Sequence, residues 1–115
     1  MACQESISIV VNATPQAVSH FLRNPTGKFL DFKIKSTDSQ GLYILMKTGI
    51  NLVSFGEDIT ITISAEPNDA ARVNILSKSS LSTVLVDWGR NGQNVHRIAQ
   101  QITMAFPYAA PPPQG

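Results

Sequence analysis

The chain contains a single cysteine, Cys3, among its 115 residues. An intramolecular disulfide is therefore impossible, and a chelating cysteine cluster is excluded as well. Cys3 is read as an incidental thiol near the start of the chain. Charge is also scarce: acidic and basic residues together make up 15% of the sequence, with a formal net charge of +1. A typical domain carries about 25%. No basic stripe is visible, so nucleic acid is excluded as an expected partner. The longest apolar run, Leu42 to Met46, is far shorter than the ~20 residues of a membrane span. No charged segment precedes an apolar one at the start, so no signal peptide is expected and the chain is taken as cytoplasmic. The two histidines, His20 and His96, have no second ligand at metal spacing. Neither a metal nor a cofactor is expected.

What is plentiful is β-branched. Ile, Val and Thr account for 27 residues, and such side chains suit pleated sheet better than helix. The length is enough for one domain with its own core, without disulfides or a structural metal. We place that domain at residues 1–106 and a flexible, proline-rich tail at 107–115.

Periodicity divides the domain into elements. Glu5 to Asn12 alternates as a half-buried strand. Thr14 followed by Pro15 is a helix start, a hydroxyl cap before proline at the first helical position. Val18, Phe21 and Leu22 then fall at helical spacing, and Asn24-Pro25-Thr26-Gly27 ends the helix. Leu30, Phe32 and Ile34 alternate with Asp31, Lys33 and Lys35. Asp38 to Gly41 has hairpin chemistry, and Leu42 to Lys47 returns. Ile50 to Phe55, between Gly49 and Gly56, is expected to be a bulged strand. In Asp58 to Ser64, Ile59, Ile61 and Ile63 point one way and Thr60 and Thr62 the other. Glu66 to Asp69 is a turn, and Arg72 to Ser77 and Ser82 to Val86 are further strands. Val95, Ile98, Ala99, Ile102 and Phe106 form one apolar stripe on a final helix capped by Asn91 and stopped by Pro107.

The expected order is β-α-β-β-β-β-β-α, with the number of middle strands open by one. Hairpin-length connections imply an antiparallel sheet. Both helices should cover one face, which gives an α+β two-layer sandwich with the long C-terminal helix packed across the sheet. The second face mixes polar residues (Thr60, Thr62, Lys33, Lys35) with apolar ones (Leu45, Leu76, Val84, Val86). It is a candidate surface for a homodimer or other homo-oligomer.

This order, with Ser79-Ser80-Leu81-Ser82-Thr83-Val84-Leu85-Val86-Asp87-Trp88-Gly89-Arg90-Asn91 leading into a long amphipathic helix, resembles small uncharacterised bacterial proteins. Their fold is TATA-box-binding-protein-like, or a minimal START-like helix-grip. The resemblance implies a curved sheet gripped by the last helix. It also implies a place for a small apolar ligand or lipid beneath that helix, lined by Phe32, Ile34, Ile61, Ile75, Trp88 and Ile102. The name of the first fold implies no DNA binding, because fold does not carry function.

The candidate ligand-binding residues are Asp87, Trp88, Arg90, Asn91 and His96. Backbone N–H groups at the start of the last helix favour a negative group, and Arg90 adds to that preference. The plainer reading of the same stretch is a strand-to-helix turn, with Gly89 and Gly92 permitting unusual backbone angles. His96 with Asp87 is the one pairing that acid–base chemistry could use. No nucleophile motif accompanies it: Ser77, Ser79, Ser80 and Ser82 lack the glycine pattern of a nucleophile elbow. Glu57 and Asp58 are adjacent on a strand and so point to opposite faces. The expectation is a non-enzymatic binding or self-association domain.

Overall fold

The structure is a computed structural model and describes residues 4–23, 32–48, 57–79 and 90–106. Its elements are β1 (Gln4–Val11), α1 (Pro15–Arg23), β2 (Phe32–Thr37), β3 (Tyr43–Thr48), β4 (Glu57–Glu66), β5 (Ala70–Ser79) and α2 (Arg90–Ala105). The five strands form one antiparallel sheet in the order β1-β5-β4-β3-β2. The α+β architecture expected from the sequence is present. Between the helices the described residues hold four strands, where five were expected. The expected strands at 50–55 and 82–86, and the tail at 107–115, lie outside the described residues.

Local chemistry accounts for the boundaries. Ala17 N–H donates to Thr14 Oγ1 at 3.2 Å, and Val18 N–H donates to the Thr14 carbonyl at 3.1 Å. Thr14 is thus the cap, and Pro15 opens α1 where no N–H is needed. In the β2–β3 turn the Asp38 carboxylate accepts from Leu42 N–H at 2.8 Å and Tyr43 N–H at 3.2 Å. Gly41 supplies the positive φ (72°) that the turn requires. Asn68 and Asp69 sit at φ 64° and 58° in the β4–β5 turn. Their short polar side chains make that region tolerable.

Strand parity builds the core. Ile59, Ile61 and Ile63 of β4 are buried, and their cross-strand partners Ser77, Ile75 and Val73 lie on the same face. Ile9 and Val11 of β1 and Ile44 and Met46 of β3 extend it. Val18 and Leu22 of α1 and Val95, Ile98, Ala99 and Ile102 of α2 close it from above. Contacts join α2 to β1 and β5, and α1 to β4 and β5, so both helices occupy this one face. Their C-terminal ends meet where Phe21 and Phe106 stack edge to face, with ring centroids 5.6 Å apart.

Two local expectations need correction. Helix α2 begins at Arg90, so Asn91 is its second residue and not its cap. Gly92 lies in the same first turn without a positive φ; among the described glycines only Gly41 has one. It therefore marks no unusual backbone. The bulged strand expected at 50–55 lies outside the described residues. A bulge not expected from the sequence interrupts β2 between Ile34 and Ser36. No glycine or proline announces it. Ile34 lies on this farthest strand and keeps 36% of its surface exposed.

Candidate functional site

Two regions gather polar chemistry. The first is at the end of the sheet beneath the start of α2. Parity puts the side chain of Glu57 on the same side as Ile59 and Ile61, inside the molecule, where it is 1% exposed. Asn94, on the buried stripe of α2 beside Val95, bridges two strands. Its Nδ2 donates to Glu57 Oε1 at 3.0 Å and to Ser77 Oγ at 3.1 Å. All three residues are buried. Every buried side-chain polar atom among the described residues has a partner. Such a satisfied network ties α2 to β4 and β5, because a slip would break both buried hydrogen bonds of Asn94.

Glu5 stands at the edge of this region. Its Cγ is 3.9 Å from where a Cβ on Gly92 would sit. The first turn of α2 contains no acidic residue. The sheet's own Glu5 therefore places a carboxylate near the positive end of the helix. Sequence reasoning missed Asn94 and Glu57 as partners. The signal was available: Glu57 opens the alternation that continues through Ile59, Ile61 and Ile63.

Of the expected ligand residues, three fall on α2. Arg90 and Asn91 occupy the first two positions of α2. His96 is on the exposed side of that helix, away from Asn94, Val95 and Ile98. Asp87 and Trp88 lie outside the described residues. Of the expected cavity lining, Ile61, Ile75 and Ile102 are each fully buried in the continuous core. Phe32 is on β2, and Trp88 is again outside the described residues. No group of three His, Cys, Asp or Glu that could hold a metal occurs among the described residues.

The second region is the opposite face of the sheet, which no described element covers. Cross-strand pairing arranges it in rows. The central rows run Ser6–Leu76–Thr60–Leu45 and Ser8–Asn74–Thr62–Tyr43. A charged row, Lys78–Asp58–Lys47, borders them on one side, with Lys47 Nζ 3.1 Å from Asp58 Oδ1. On the other side Arg72 binds Glu66 Oε2 at 3.2 Å and Ser8 Oγ at 3.2 Å. These partly exposed pairs contribute little stability, typically about 0.2–1 kcal/mol each. Their effect is to confine the uncharged band. Within that band lies a shallow depression of about 410 Å³, lined by Ser6, Ser8, Thr60, Thr62, Asn74 and Leu76 among others. Leu45, Leu76, Thr60 and Thr62 are half-buried there, and Tyr43 is 46% exposed.

No family model matches the chain, and no curated protein matches it. Among solved structures it is similar to an uncharacterized protein from Rhizobium leguminosarum. That likeness has a TM-score of 0.39 at 13% identity, and covers 90% of this chain and 96% of the other.

Proposed function

We propose that this chain is a non-enzymatic domain that associates with a second copy of itself through the open face of its sheet. The observation that carries the reading is the one-sided placement of α1 and α2. It leaves the band of Leu45, Leu76, Thr60, Thr62 and Tyr43 without a covering layer among the described residues. Five strands spaced at ~4.8 Å and some 20–30 Å long present a face on the order of 500–700 Å². That approaches the ~800 Å² per partner of a stable interface. A two-fold arrangement makes the same patch serve both copies.

A small apolar ligand held between α2 and the sheet has less support. Ile61, Ile75 and Ile102, which would line its site, already pack against one another's neighbours in the core. Asp87, the partner that catalysis by His96 would need, lies outside the described residues. Light scattering over a concentration series tests the main reading. The chain should show a dimer or larger species, and Leu45→Lys should lower its association while leaving a chain that still melts cooperatively. A monomer at every concentration would remove the proposal.

A further inference from the structure

We propose a second contact between copies, made by the outer edge of β1. This surface is distinct from the open face and does not depend on it. β1 is an edge strand that pairs with β5 in unbroken register from Gln4↔Lys78 to Val11↔Ala71. Antiparallel pairing on one side leaves every second residue directing its N–H and C=O outward. Among the described residues nothing pairs with that side. Folded proteins usually blunt such an edge with a bulge, proline or charged side chains, lysine above all. The opposite edge strand, β2, has those devices: a bulge between Ile34 and Ser36, and Lys33 and Lys35 within its span. β1, reading QESISIVV, has no bulge, proline or lysine, and its single charge is Glu5 near its start.

The same sequence selects the occupant. Laid antiparallel against its own copy about Ile7, β1 sets Ile7 opposite Ile7, Ser6 opposite Ser8, and Glu5 opposite Ile9. No like charges face each other in this register, and its only charged residue, Glu5, falls near the ends of the pairing. Ile7 is only partly buried at the rim of the core, and its twin covers it. Helix α2 backs β1 from the core side. The result is a two-fold dimer with one continuous sheet of twice the width.

Cross-linking tests the edge directly. At the two-fold axis the paired Cα atoms of residue 7 would stand ~4.5–5.5 Å apart, within the ~4.4–6.8 Å that a disulfide spans. In the full chain carrying Cys3→Ser, Ile7→Cys should form a covalent dimer on mild oxidation. The rate should exceed that of Met104→Cys, an exposed control on α2, by on the order of tenfold or more. Ile7→Cys cross-linking no faster than Met104→Cys would overturn the proposal. The side chain of residue 7 points to the helix side of the sheet, so association through the open face does not bring two copies of it together. Adding Leu76→Lys separates the two readings. Rapid cross-linking that survives Leu76→Lys supports the edge alone. Association lost with Leu76→Lys, together with slow cross-linking of Ile7→Cys, leaves the face and removes the edge.

Discussion

Ser19 and Gly41 show how single residues tie the helical layer to the sheet. Ser19 Oγ donates to the Gly41 carbonyl at 2.6 Å and accepts from Arg23 Nε at 2.9 Å. A Cβ on Gly41 would lie 2.5 Å from Ser19 Oγ, at a φ that side chains rarely adopt. Gly41→Ala should therefore destabilise the fold by about 2–4 kcal/mol, combining left-handed strain with a clash. Gly92 has the opposite environment: a helical backbone and no close neighbour. Gly92→Ala should stabilise by about 0.5–1 kcal/mol. Thermal melts of the two variants should move in opposite directions. Asn94→Ala removes the donor shared by Glu57 and Ser77. Losing these two buried hydrogen bonds should cost about 1–3 kcal/mol, read from denaturant midpoints. The Asn94 contact escaped the sequence because carboxylates are expected outside. Only the parity of β4, followed back to its first residue, puts Glu57 inside.

At the scale of elements, what was legible had a local cause. The Thr14 cap and Pro15 start marked α1, and Thr14→Ala should cost about 1 kcal/mol in a chemical denaturation series. The turns at Asp38 to Gly41 and Glu66 to Asp69 used residues that tolerate their backbone angles. Alternating Ile and Thr fixed the two faces of β4. The β2 bulge was not legible, because Lys35 has no backbone preference that marks one. The start of α2 was misplaced by a different mechanism. Asn91 has cap chemistry, yet the helix begins before it, and the stretch offers several cap-competent residues in succession. The apolar stripe of α2 was legible throughout: Val95, Ile98, Ala99 and Ile102 are all buried.

For the whole molecule, the decisive feature is that two helices lie on one face of a five-stranded sheet. Low charge follows from this layout. The open face carries hydroxyls, an amide and two leucines at its centre, and keeps its charges on the flanking rows. The sequence already showed that mixture, but not that the charged pairs border an uncharged band, which depends on strand register. The candidate ligand site was less legible. It comprised Asp87, Trp88, Arg90, Asn91 and His96, of which Asp87 and Trp88 lie outside the described residues; helical periodicity turns His96 outward and Asn94 inward.

Sedimentation equilibrium of Leu76→Lys, beside the unaltered chain and Met104→Lys, tests the central claim most directly. Leu76 is in the middle of the open face, and Met104 is 73% exposed on α2. The account predicts lower association for Leu76→Lys, unchanged association for Met104→Lys, and similar melting for all three. An unaltered chain that is monomeric, or a Leu76→Lys variant that associates as before, would contradict it.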